Sequence, residues 1–167
     1  MSFNKYFRHC NTIFFNLKSG IYNIMDINKK ITWKAEWNIG INRIDFEHKI
    51  FLELIDSLRN EIKKNSTWEI LSRIIREIEK YAEFHFISEE NFLFFIDYPQ
   101  YIEHQEAHYI LLERLNIAKH KVDDLCELLE FIYEWFIDHT LKEDIKITEY
   151  LKENGKEYHF SKGSGNE

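Results

Sequence analysis

At 167 residues, 44% hydrophobic and 31% charged, the chain has the length and composition of one globular domain with a real core, not of a disordered segment. A formal net charge of −7 argues against a nucleic-acid or anionic-membrane surface, and no apolar run approaches the ~18 residues a transmembrane helix needs. The two cysteines, Cys10 and Cys126, form no CxxC and no disulfide framework, which suits a reducing cytoplasm.

Residues 1–30 differ from the rest. They are aromatic (Phe3, Tyr6, Phe7, Phe14, Phe15, Tyr22), carry Lys5, Arg8 and Lys18, and have no acidic residue before Asp26. Neither the apolar stretch nor the cleavage site of a secretory signal is present. The segment reads as a poorly ordered arm, with Met25 as an alternative translation start, and no function is built on it. The domain proper is expected over 31–155, followed by a flexible tail over 156–167 that ends in KGSGNE.

With one proline and five glycines, few points exist where a helix must stop, which predicts long helices and few turns. After a leading stretch, ITWKAEWNIGINRID, the first helix carries Ile41, Ile44, His48, Leu52, Ile55, Leu58 and Ile62 at spacings of three and four, one buried face. Asn65 and Ser66 mark a turn, and Ser66 with Glu69 has the form of a capping box. The second helix runs a stripe of Leu71, Ile74, Ile75, Ile78, Ala82, His85, Glu89 and Phe92, which Pro99 brings to a close. The third buries His104, His108, Leu111, Leu115 and Ala118. The fourth opens near Asp124 and Glu127 and carries Leu125, Leu128, Leu129, Ile132, Trp135, Phe136, His139, Asp144, Ile147 and Leu151, stopping at Asn154 and Gly155. Short connections predict an all-α, up-down-up-down antiparallel four-helix bundle with an N-terminal arm.

Seven polar residues interrupt these apolar stripes: His48, His85, Glu89, His104, His108, His139 and Asp144. Imidazole and carboxylate without thiolate form a ligand set suited to a redox-active transition metal. Residues four apart differ by about 40° around a helix, so His104 with His108, and His85 with Glu89, can each grip one ion from one face. His139 and Asp144 are five apart, roughly 140° around the axis, and straddle their stripe instead. A lone core histidine such as His48 is ordinarily just hydrogen-bonded. Seven donors on the inward faces of four consecutive helices are another matter, because each unmet group would cost about 1–3 kcal/mol. A metal centre is the expected resolution. His9, His120 and His159 fall in the arm, a turn and the tail and read as solvated.

With these residues in view, the stretch from Ile31 to Leu151 resembles the bacterial members of the hemerythrin family. The resemblance covers Trp33, Trp37, Gly40, Ile41 and Asp45 ahead of His48, and then the HxxxE, HxxxH and HxxxxD strings. It implies two iron ions in a non-haem di-iron centre. His104, His108 and His139 would hold one ion and His48 and His85 the other. Glu89 and Asp144 would bridge them, with a solvent-derived oxo or hydroxo group as third bridge. The ion with fewer protein ligands would keep an open position for dioxygen. The implied function is reversible dioxygen binding for storage, delivery or sensing, with nitric oxide as a further candidate ligand, and not enzymatic turnover.

Two alternatives stay open: a di-iron enzyme acting on dioxygen, peroxide or nitric oxide, and iron buffering. Against an enzyme stand the histidine-rich ligand set and the lack of a spare carboxylate for acid–base work. Two departures from the family pattern stand out. Thr140 follows His139 where an aliphatic residue is usual, and its hydroxyl is expected to speed oxidation of the centre. Glu47 precedes His48 where bacterial members often have Gln, and it is expected to be exposed and of little consequence. Trp135 and Phe136 are candidates for a dry wall around the site.

Overall fold

The computed structural model describes residues 26–121 and 124–155, so the expectations for the arm before Asp26 and for the tail lie outside the described residues. Four long helical segments follow a leading stretch with a single 3₁₀ turn at Ala35–Trp37: α1 (Asn42–Lys63), α2 (Trp68–Phe95), α3 (Tyr101–Lys121) and α4 (Leu125–His139). A π turn over Thr140–Asp144 joins α4 to a last short helix, α5 (Ile145–Glu153). Each helix packs on its sequence neighbour, and α1 also packs on α4, which is the closed antiparallel bundle the short connections demand.

The helix ends show how the chain turns. Asn65, at φ 55°, ends α1 in a left-handed cap. The Ser66 N–H reaches the Glu61 carbonyl at 3.0 Å and the Asn65 N–H reaches that of Ile62 at 2.9 Å. Asp97, at φ 54°, does the same for α2, with the Tyr98 N–H on Leu93 at 3.0 Å. Both are Schellman closures made without glycine, since the short polar side chains of Asn and Asp tolerate this backbone. The capping box expected from Ser66 and Glu69 does not form. Thr67 is the N-cap of α2 and makes no side-chain cap bond, while the Ser66 hydroxyl donates instead to Glu61 Oε2 at 2.6 Å. Asp124 does cap α4, accepting the Cys126 N–H at 2.8 Å. Cys126 is disulfide-bonded, so the expectation of a chain without a disulfide fails there.

The apolar side chains divide into two clusters. The larger runs from Trp37 and Phe51 through Ile55, Ile78 and Leu129 to Phe136. The smaller joins Ile39, Ile41 and Ile44 to Phe92, Leu93, Ile96, Ile147 and Leu151. Along every helix the expected metal donors fall between the two. On α1, for example, Ile44 belongs to the smaller cluster, His48 to neither, and Phe51 to the larger. A polar layer is thus sealed above and below by hydrocarbon, which removes water and strengthens any charge interaction within it. Of the expected core positions, Ile74, Leu111 and Ala118 are half-buried at the margin of the larger cluster.

The leading stretch is pinned to α1 by a buried ion pair. Asp56 Oδ1 accepts from Arg59 Nε at 2.7 Å and from the Ile31 N–H at 2.8 Å, and Arg59 Nη1 donates to the Ile27 carbonyl at 2.6 Å. Asp56→Ala would leave Arg59 buried without its carboxylate. A loss of about 3 kcal/mol in chemical unfolding is expected, with faster proteolysis near Ile31. An unchanged denaturation midpoint would show that the pair is replaceable by solvent.

Candidate metal centre

Each helix contributes donors to the sealed layer. His48 comes from α1, His85 and Glu89 from α2, His104 and His108 from α3, His139 from the last turn of α4, and Asp144 from the end of the π turn. All seven are buried, and His48, Glu89 and Asp144 are fully so. The π turn settles the one awkward spacing. Its hydrogen bonds close from i to i+5, so residues five apart share a side, and His139 Nε2 lies 3.1 Å from Asp144 Oδ1. The uninterrupted fourth helix expected from the sequence is therefore corrected at this point.

The imidazole Nε2 atoms converge on the two carboxylates. Asp144 Oδ1 faces His104 at 3.5 Å and His139 at 3.1 Å, while its Oδ2 faces His48 at 3.3 Å. Glu89 Oε2 lies 3.6 Å from both His85 and His108, and its Oε1 lies 3.6 Å from His104. Donor atoms of Glu89, His104, His108 and His139 all fall within 4.8 Å of one another. The rings of His48 and His85 stand 4.8 Å apart.

These distances are those of ligands around a cation, not of a satisfied hydrogen-bond network. His108 Nε2 and His139 Nε2 face each other at 2.9 Å. Neighbouring ligands about 2.1 Å from one ion stand about 3 Å apart, so the spacing suits two lone pairs aimed at a common centre. Ten buried side-chain polar atoms among the described residues have no hydrogen-bond partner, and eight of them belong to His48, His85, Glu89, His104 and Asp144. Such clustering in a sealed layer calls for a cation. The donor set fits one, being neutral imidazoles and carboxylates.

Burial pushes His48, His108 and His139 towards the neutral imidazole, the form that ligates, and the neighbouring His108 adds to this at His139. Burial opposes the charge of Glu89 too, but the surrounding His104, His85 and His108 more than offset it and hold the carboxyl below its usual range. Asp144 goes the other way: burial, then the nearby Glu89 charge, raises it well above the usual range. Two buried carboxylates this close repel unless a positive charge lies between them.

A second layer stands behind the donors, and here one expectation is overturned. Glu47 is buried. It accepts from His85 Nδ1 at 3.0 Å with Oε2, and from Ser88 Oγ at 2.7 Å and Arg43 Nε at 3.0 Å with Oε1. Glu90 similarly takes His108 Nδ1 at 2.9 Å, and also Gln105 Nε2 at 2.9 Å. The signal for Glu47 was available, since Phe51 one turn later is also buried and widens the inward face of α1. Nothing in sequence spacing pointed to Glu90, Ser88 or Gln105. Aromatic rings complete the wall. Phe136 lies 5.5 Å and Trp33 5.8 Å from the His48 ring, and Phe86 stacks on His108 at 3.9 Å. Trp135 sits a layer further out, against Phe51 and Phe86. His120, by contrast, is exposed, as expected, but lies on the last turn of α3 and not in the turn that was expected.

A four-helix bundle closed around a buried histidine–carboxylate cluster defines a metal-binding helical protein. Comparison with known proteins makes the class specific: the model of the hemerythrin HHE cation-binding domain matches residues 39–151. A bacteriohemerythrin from Clostridium acetobutylicum is 33% identical over 122 residues, covering 67% of this chain and 94% of the relative. Bacteriohemerythrins from Campylobacter jejuni (30% identical, 79% of this chain and 99% of the relative) and Pseudomonas aeruginosa PAO1 (23%, 81% and 90%) also match. The chain belongs to the hemerythrin family.

Proposed function

We propose that this protein binds dioxygen reversibly at a non-haem di-iron centre, for storage, delivery or sensing. The observation that carries the reading is the division of Asp144, whose two oxygens face different histidine groups: His104 and His139 on one side, His48 on the other. A carboxylate so placed suits two ions. His104, His108 and His139 would hold one and His48 and His85 the other, with Asp144 and Glu89 serving both. Such a pair, when bound, supplies two electrons to dioxygen, one from each iron.

The chain's own residues set the conditions for reversibility. With two histidines against three, the position held by His48 and His85 has room for a small ligand. Phe136 and Trp33 against His48, and the apolar clusters above and below, keep out the water and protons that would turn binding into reduction. Glu47 and Glu90, the carboxylates bonded to the histidine Nδ1 atoms of the layer, are engaged there and are not free to act as acid or base. A groove of about 470 Å³ between α3 and α4 does reach His139, but it meets a histidine of the fully ligated position and so offers no substrate site at the open one. These features favour a binding protein over an enzyme. No helix among the described residues is long and apolar enough to cross a membrane. The cytoplasm, where a reductant can return a ferric centre to the ferrous state, is the setting this reading implies; the disulfide at Cys126 argues the other way.

The test is a visible spectrum of the iron-loaded, reduced protein before air, after air and after deoxygenation. A charge-transfer band that appears with oxygen and vanishes with its removal, at two irons per chain, is expected. Irreversible conversion to a ferric spectrum with peroxide release would replace this reading with an oxidase, and indifference to oxygen would replace it with iron buffering. Thr140 bears on the same experiment. It is buried, directly follows His139, and its hydroxyl has no protein partner. Thr140→Ile should slow autoxidation about fivefold, the factor worth about 1 kcal/mol for one hydrogen bond. Equal rates would show that the hydroxyl plays no part.

A further inference from the structure

The second layer is not evenly distributed. Of the two histidines at the open position, His48 has an Nδ1 without a partner, whereas His85 Nδ1 meets a buried carboxylate. Glu47 is itself held in place. Oε1 is fixed by Ser88 Oγ and Arg43 Nε, leaving Oε2 aimed at the ring, and Tyr81 donates its hydroxyl to the Glu47 backbone carbonyl at 3.1 Å.

We infer that Glu47 is a positioning residue that orients His85 and raises its strength as a donor, and thereby tunes the redox balance of the open metal position. This rests on the di-iron reading above. A carboxylate accepting the Nδ1 proton fixes the tautomer, so the Nε2 lone pair points to the Glu89 side. It also lends negative charge to the ring, which favours the more highly charged metal ion. Burial makes the effect larger than a surface carboxylate could produce. Arg43, the cation bonded to Glu47, is half-exposed and partly screened by solvent, so it offsets this charge only in part. The simple rival is a helix staple, because Arg43 and Glu47 are four apart on α1, worth a few tenths of a kcal/mol and silent at the metal.

The experiment uses the full chain with Glu47→Gln and Glu47→Ala. Glutamine can still accept from His85 but carries no charge, while alanine removes both. Metal affinity is read by chelator competition with cobalt(II), and the midpoint potential by titration of the iron-loaded protein. Glu47→Ala should weaken one of the two ions by about 10–100-fold and leave the other unchanged. Glu47→Gln should keep both ions but lose about tenfold in preference for ferric over ferrous iron, a rise of about 59 mV in a one-electron midpoint. Wild-type affinities and potential in Glu47→Gln would overturn the inference in favour of the staple, even if Glu47→Ala failed to fold. Failure of the wild-type chain to take up two ions would instead sink the di-iron reading itself.

Discussion

On the di-iron reading proposed above, Glu89→Gln is expected to reduce the bound iron from two ions to at most one per chain and to abolish the oxygen-dependent visible band. Its two carboxylate oxygens face His85, His104 and His108 from the centre of the sealed layer, and glutamine keeps the volume but loses the charge and one acceptor. The stability consequence has opposite signs with and without metal. In the loaded wild type, ions that bind only the folded chain add RT ln(1 + [L]/Kd), about 4 kcal/mol at a thousandfold excess over Kd. The variant forfeits most of that, roughly 10 °C in the melting temperature of a domain this size. In metal-free protein the order reverses. Wild type then carries two fully buried carboxylates; the histidines that hold Glu89 charged offset part of that cost, while Asp144 stays raised by burial and by the Glu89 charge, and the variant relieves that repulsion. Calorimetry of both proteins, with and without chelator, checks this crossover. A metal-free variant less stable than metal-free wild type would mean that the apo site is held by hydrogen bonds and not by a missing cation.

The second large effect concerns the π turn. Deleting Leu141, which is exposed, should convert Thr140–Asp144 to ordinary α-helix with His139 and the aspartate four apart on one face, and leave α5 in register. Two ions per chain are expected to survive. Inserting one alanine after Leu141 should do the opposite. The aspartate then turns by about 100° away from His139, and Ile147 and Leu151 rotate out of the smaller cluster with it. Loss of at least one ion and a marked drop in melting temperature should follow. If the deletion abolished metal binding and the insertion did not, the π turn itself would be an obligatory part of the centre and not one residue of slack in the helix.

These two cases mark where local pattern suffices. The helices, their inward faces and the interruption of those faces by five histidines and two carboxylates were legible in the sequence, because a 3.6-residue period needs no knowledge of partners. So were the N-cap at Asp124 and the stop at Asn154 and Gly155, which local backbone chemistry dictates. The Ser66 box was misread for a tertiary-free but competitive reason: the hydroxyl had a second acceptor in Glu61, and the Schellman closure of α1 carried it there. Glu47 and Glu90 were illegible in a different way. What they do depends on His85 and His108, contributed by other helices, and a carboxylate beside a histidine looks the same in a string whether it faces water or a buried ring.

The sequence by itself therefore determined the four-helix pattern, its inward faces and which polar residues interrupt them, since these follow from hydrophobic period and residue chemistry within single helices. Only the tertiary structure decided which carboxylate oxygen faces which histidine, which carboxylates back the imidazoles, and how a five-residue spacing comes onto one side. Each of those depends on distances between helices, or on a break in helical period, that packing the bundle imposes and no local pattern encodes.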